Sequence, residues 1–236
     1  DRSGSMCSFQ GKQYDMVEHL LEDSKKQALE AKKPTYVKLV SFDNEVNTII
    51  DQDISTYNIS RPELMEKLTP RSSTRFNDTL IEEIDSLILK KDEYLKSLSK
   101  KAKALNPDVA MVLIAITDGE DNASQHSTKG TREEMLQFRQ NGGRAILMAA
   151  NMDAELIGGW YGFNPEKAIT VDNSNPVAIE SCYRAVSNMA RNMTQGLDVP
   201  FTALQRSQSS QPMDDNDALL LAPPTLVRNM TRQYNH

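Results

Sequence analysis

The chain has 236 residues, 39% of them hydrophobic and 25% charged, with a net charge of -6 at pH 7. That length suits one domain with a sizeable core plus an appendage and is short for two. No uninterrupted apolar run approaches membrane-spanning length, and the acidic balance, with lysines set mostly beside acids, argues against a nucleic-acid binder, which needs clustered Lys and Arg.

Taken in chain order, Met16, Val17, Leu20, Leu21, Ala28 and Ala31 fall at helical spacing and predict an amphipathic helix from Lys12 to Ala31. Thr35 to Phe42 and Val46 to Asp51 are β-rich runs joined by Asp43, Asn44 and Glu45, a hairpin connection. A short helix is expected over Arg61 to Leu68, with Pro62 near its first position. Phe76, Leu80, Ile81, Ile84, Leu87 and Ile88 mark a second long helix reaching Ser99. Val109 to Ile116 is continuously apolar, the pattern of a central strand buried on both faces. A helix over Thr131 to Gln140, closed by Gly142 and Gly143, leads to a strand at Ala145 to Ala150. A short helix at Ala154 to Trp160, a strand at Ala168 to Val171 and a helix from Val177 to Met193 complete the series. Strands alternating with helices imply a mostly parallel sheet covered on both sides, an α/β architecture. From Gly196 the composition shifts to low complexity, so residues 1–195 read as the domain and 196–236 as a linker or tail. Within the tail, Ala218 to Ala222 is an apolar interruption stopped by Pro223 and Pro224.

Cys7 and Cys182 fit no metal or redox spacing, so each reads as a small buried hydrophobe, which favours a reducing compartment. Asn-x-Ser/Thr sequons at Asn58, Asn77, Asn122, Asn192 and Asn229 matter only if the chain enters a secretory pathway. His19, His126 and His236 have no partner at zinc-ligand spacing. Trp160 and Tyr161 are expected to pack, and Met16, Met111, Met148 and Met189 to fill core gaps.

Chemistry gathers in three loops. Asp1-Arg2-Ser3-Gly4-Ser5 sets a carboxylate and two hydroxyls on alternate positions before a helix; Ser72-Ser73-Thr74 opens the second long helix; Asp118 ends the apolar strand in Thr-Asp-Gly-Glu-Asp-Asn. In an α/β sheet these loops share the edge where ligands bind. Two carboxylates and three hydroxyls suit Mg²⁺, which takes oxygen ligands, is held by one or two carboxylates and keeps positions free. Each element also has a plainer reading: Asp and Ser are favoured helix N-caps, Asp118 precedes a turn glycine, and Glu120 and Asp121 read as solvated loop acids with no ligand role.

Asp1-x-Ser-x-Ser5, the threonine of Thr74-Arg-Phe-Asn-Asp78 and Thr117-Asp118-Gly119 together resemble, in order and spacing, the metal-ion-dependent adhesion site of the von Willebrand factor A family. The resemblance spans residues 1–195 and includes Phe42-Asp43-Asn44-Glu45-Val46 as the family's hairpin. It implies a Rossmann-like, doubly wound, mostly parallel sheet with one antiparallel edge strand and helices on both faces. It implies Ser3, Ser5 and Thr74 as hydroxyl ligands of Mg²⁺, or Mn²⁺ in its place, with Asp1 and Asp118 acting through water. The implied function is a non-enzymatic module in which the metal accepts an Asp or Glu of a partner protein. Ala149-Ala-Asn-Met-Asp153-Ala is loosely similar to intracellular members from bacteria, phages and large DNA viruses, which implies a place inside cells or particles, with secretion left open. Two departures stand out: Ser72 takes the place of a usual glycine, and the apolar central strand expected before Asp1 is missing from the sequence. Two rivals are an assembly subunit docking through residues 196–236 and a Mg²⁺-dependent hydrolase, the latter lacking a phosphate loop, a nucleophile elbow or a nearby His.

Overall fold

The computed structural model describes residues 1–210; the expected apolar interruption at 218–222, the Asn229 sequon and His236 lie outside them. A 3₁₀ turn, Gly4–Phe9, precedes α1 (Lys12–Ala31), so the first long helix starts where its periodicity does but does not follow Ser5 directly. β1 (Tyr36–Phe42) and β2 (Val46–Asp53) form the expected antiparallel hairpin, in register at Phe42 and Val46 and slipped between Leu39 and Val40. α2 (Arg61–Lys67) is capped by Ser60, whose side chain accepts from the Glu63 amide. α3 (Phe76–Ser97) ends two residues early, because Ser99 caps a separate short helix, α4 (Lys100–Ala104).

β3 (Met111–Thr117), β4 (Gly143–Ala150) and β5 (Ala168–Val171) pair in parallel in the order β3-β4-β5. The connecting helices are α5 (Thr128–Gln140) and α6 (Ala154–Trp160). Ser127 accepts from the Gly130 amide and so starts α5 three residues before the apolar pattern does. α7 (Pro176–Thr194) is capped by Asn175, with Pro176 at the first position where no amide is needed.

β4 shows how the layers are built. Ile146, Met148 and Ala150 pack with Met16 of α1 and Val186 and Met189 of α7, whereas Ala145, Leu147 and Ala149 pack with Leu80 and Ile84 of α3 and Met135 and Phe138 of α5. Alternate residues of one strand therefore feed two cores, which is why its sequence is apolar throughout. Met16, Met111, Met148 and Met189 are all buried.

The expected mostly parallel, doubly wound sheet is met in part: β3 pairs on one edge only, with β4, and its other edge and the free edge of β1 line a cleft, so the described strands form a three-stranded parallel sheet and a separate antiparallel pair. Apolar continuity reports burial on both faces and carries no information about hydrogen-bonded edges. The expected linker also begins too early. Residues 203–210 form α8 (Ala203–Ser210), which packs on α7 and β5. Phe201 is buried, Arg206 donates to the Ala168 carbonyl at 2.6 Å, and the Asp172 amide donates to the Ser209 carbonyl at 2.9 Å. Low-complexity composition hid a segment held by its backbone and one arginine. No helix among the described residues is long and apolar enough to cross a membrane.

Gly143 starts β4 directly over the ring of Phe138, and a Cβ there would overlap that buried ring. Gly143→Ala should therefore lower unfolding free energy by about 1–3 kcal/mol through overpacking, read as a lower urea midpoint at unchanged slope.

Candidate metal centre

Residues 1–4 are held by main-chain bonds before any side chain is considered. The Asp1 nitrogen donates to the Ile116 carbonyl of β3 at 2.9 Å, and the Arg2 amide donates to the Phe42 carbonyl of β1 at 2.8 Å. The Arg71 amide donates to the Arg2 carbonyl at 2.8 Å, and the Gly4 amide to the Ser72 carbonyl at 3.0 Å. Ser72, at the departure from the expected glycine, takes the left-handed conformation glycine favours, with φ 61°.

On this frame the oxygens converge. Ser3 Oγ and Ser5 Oγ are 3.0 Å apart, and Ser5 Oγ donates to Asp118 Oδ1 at 2.7 Å, so Ser3 is the donor to Ser5. A Cβ placed on Gly119 would lie 3.3 Å from Ser5 Oγ, 3.6 Å from Thr74 Oγ1 and 3.9 Å from Ser3 Oγ. One point beside Gly119 thus sees all three hydroxyls, and a side chain there would crowd them. Asp1 is set by other contacts: its Oδ1 accepts from the Ser3 amide at 2.7 Å and its Oδ2 from Thr117 Oγ1 at 2.6 Å. Ser3 and Thr74 are buried, while Ser5 is exposed and Asp118 half-buried, so the cluster opens to solvent on the Ser5–Asp118 side.

The donor set fits a small hard cation. Adjacent ligands of octahedral Mg²⁺, at about 2.0–2.1 Å from the ion, stand about 2.9 Å apart, close to the Ser3–Ser5 and Ser5–Asp118 separations. Among the described residues no three His, Cys, Asp or Glu side chains gather as a metal group; the cluster has two carboxylates, and its other oxygens are hydroxyls.

Several residues that support this cluster carry no motif of their own. Asn122 Oδ1 accepts from the Thr74 amide at 2.8 Å, and the Asn122 and Ala123 amides both donate to the Thr74 carbonyl at 2.9 Å. Ser8, one turn beyond Ser5, donates to Asp118 Oδ2 at 3.2 Å and accepts from Asn173 Nδ2 at 2.6 Å. The spacing of Ser8 from Ser5 was a legible signal; Asn122 and Asn173 become relevant only through folding. Asp121 is not a solvated loop acid: its carboxylate accepts from the Asn77 amide at 2.7 Å and the Ser124 amide at 3.2 Å, helping to cap α3. Glu120 is exposed.

Other expectations also change. Cys7 is exposed, whereas Cys182 is buried and burial pushes its thiol up. Trp160 is 52% exposed, while Tyr161 packs edge-on against Phe76. His126 belongs to a polar cluster around buried Asp78, whose carboxylate accepts from the Gln125 and His126 amides, the His126 ring and Arg75. Burial alone would raise the Asp78 carboxyl, but these hydrogen bonds outweigh it and hold it well below the usual carboxylate range.

No protein-family model and no curated protein matches the sequence. Among solved structures, proximal thread matrix protein 1 from the mussel byssus is similar at a TM-score of 0.51 and 14% identity, over 81% of this chain and 45% of that one. A von Willebrand factor type A structure from Catenulispora acidiphila aligns at a TM-score of 0.47 and 13% identity, over 81% of this chain and 41% of that one. The first of these establishes likeness of fold and nothing more. In both, the chain spans less than half the length of the protein it matches.

The Asp78 cluster generates a pH prediction. A carboxyl whose folded pKa is depressed contributes stability that is present above its unfolded value, about 3.9, and lost as pH falls through the lower folded one. Asp78→Asn should cost about 2–4 kcal/mol at neutral pH, since it exchanges the charged acceptor of these hydrogen bonds for a neutral one and sets an NH2 donor in place of the oxygen that faces Arg75. It should also flatten the loss of stability below pH ~4, as measured by urea unfolding across pH.

Proposed function

We propose that this chain is a von Willebrand factor A type module that binds another protein through Mg²⁺, or Mn²⁺ in its place. The observation that carries the reading is the meeting of Ser3, Ser5 and Thr74 hydroxyls beside Gly119, with Asp118 bonded to Ser5. Ser3, Ser5 and Thr74 would hold the ion as neutral ligands, and Asp1 and Asp118, oriented by Thr117 and Ser8, would supply negative charge beside it. A bound Mg²⁺ supplies a Lewis-acidic position for an oxygen anion. Because the hydroxyls of Ser3, Ser5 and Thr74 are neutral ligands, the ion would stay electrophilic, and that position favours a carboxylate, an Asp or Glu of the partner, arriving on the exposed Ser5–Asp118 side.

The same hydrogen bonds suggest how occupancy is felt elsewhere. Asp118, Ser8 and Asn173 form a chain from the end of β3 to the loop before α7, with the Ser8 hydroxyl shared between Asp118 and the Ser5 carbonyl, a route by which a bound ion would be felt at the entry of that helix. A hydrolase reading finds less support: Ser5 donates to a carboxylate, and carboxylates are weak bases for a serine. His126, the histidine of the neighbouring loop, is engaged with Asp78. The assembly reading placed its contacts in residues 196–236, and part of that segment, α8, is packed on the body of the protein.

Calorimetric titration tests the metal reading. Mg²⁺ and Mn²⁺ should bind the wild-type chain saturably, and Asp118→Ala and Ser3→Ala/Ser5→Ala should each weaken binding at least about tenfold, the equivalent of about 1.4 kcal/mol. Absence of binding to the wild type would overturn it. Partner capture should be lost on adding a chelator and restored by excess Mg²⁺.

A further inference from the structure

The turn Asn141-Gly142-Gly143 joins α5 to β4 and carries the one Asn-Gly pair in the sequence. Asn141 closes α5 with φ -87° and ψ 17°, is exposed, and makes no side-chain hydrogen bond among the described residues. Gly142 lies in the left-handed region at φ 86°, and a Cβ built on it would meet nothing within 4 Å. Its amide is held by one bond, to the Arg139 carbonyl at 3.1 Å, at the end of the helix, where local opening costs least. Without a side chain on Gly142, nothing shields its amide nitrogen from the carboxamide of the residue before it.

We infer that Asn141 is a modification site, deamidated by water without an enzyme. The Gly142 nitrogen gives up its proton to solvent and attacks Asn141 Cγ. The new C–N bond closes a five-membered succinimide, the Cγ–Nδ2 bond breaks, and ammonia leaves. One water then adds to either ring carbonyl and reopens the ring, giving an aspartyl residue or an isoaspartyl residue, whose main chain runs through Cγ. No electron is gained or lost, and water is the sole co-reactant.

The fold separates this turn from the one Asp-Gly pair, Asp118-Gly119, which has the atoms for the same ring closure with loss of water. There Asp118 accepts from Ser5 at 2.7 Å and from Ser8 at 3.2 Å, and the Gly119 amide donates to Thr117 Oγ1 at 3.3 Å, so both reacting groups are held. None of these contacts requires a bound metal. At Asn141 the product sets a carboxylate at the C-terminal end of α5, where the helix dipole opposes it. The isoaspartyl form also lengthens the main chain just before Gly143, which sits on the Phe138 ring with no room to spare. The change therefore falls at the start of β4, the strand that feeds both cores.

Heavy-oxygen labelling tests this. The wild-type chain and Asn141→Gln are incubated in mildly alkaline heavy-oxygen water, folded and in urea, then digested in ordinary water and weighed by mass spectrometry. In the folded wild type the fragment carrying Asn141 should take up label within about tenfold of its rate in urea, whereas the fragment carrying Asp118 should be labelled at least about tenfold more slowly folded than in urea. Asn141→Gln should abolish labelling of the first fragment, because glutamine does not close the five-membered ring. Folded labelling at Asn141 more than about tenfold below the urea rate, or labelling that survives in Asn141→Gln, would overturn the inference. Folded labelling of Asp118 at its urea rate would overturn the protection assigned to its hydrogen bonds.

Discussion

The placement of the site depends on the main-chain hydrogen bonds that pin residues 1–4 between β3, β1 and the loop before α3. Serine hydroxyls on a free loop would be hydrated individually and point in many directions. Bonded to Ile116, Phe42, Arg71 and Ser72, the same loop can deliver Ser3 and Ser5 to within hydrogen-bond distance of each other and of Asp118. Asp43 reinforces the arrangement from below. Its carboxylate is fully buried, paired with Arg2 and Arg71, and accepts from the Glu45 amide, while its carbonyl accepts from Arg75. A buried ion pair of this kind adds little net stability because desolvation offsets its attraction; its consequence here is to fix three loops relative to one another.

Around this frame the environment is graded. Ser3 and Thr74 are buried against the sheet edge, Asp118 is half-buried and Ser5 is open to solvent. The buried oxygens hold their positions by packing, while the open side is where an incoming group can reach. Gly119 matters by omission, since any side chain there would enter the space beside the hydroxyls. The second tier of polar residues, Asn122, Asp121 and Asp78, satisfies the amides of the loops that carry Thr74 and Asp118. Those loops can then turn sharply at a half-buried edge without leaving buried donors unpaired.

Element type was legible wherever periodicity or a cap was local. α1, α6 and β5 occupy the residues their patterns predict, and the β1–β2 hairpin follows from two β-rich runs around Asp43-Asn44-Glu45. Boundaries shifted where a capping side chain outweighed the apolar pattern, as Ser127 does for α5 and Ser99 for α4. α8 was not legible, because its eight residues offer little apolar surface and are held by Arg206 and the Ser209 carbonyl.

The sequence by itself determined the alternation of strands and helices and the three oxygen-bearing loops, because each is written in spacing within a few residues; it assigned two-sided burial to β3, whereas β4 is the strand that is buried almost throughout. Tertiary structure decided which edges pair, since β1 and β3 are equally apolar whether they adjoin each other or flank a cleft. It also decided which polar residues act together. Asn122 and Asn173 reach Thr74 and Ser8 from 48 and 165 positions away. Asp121, in a string of acids, became a cap by facing the first turn of α3. Such contacts are set by the packing of whole elements, and a hydrogen-bond partner brought from far along the chain leaves no trace in local composition.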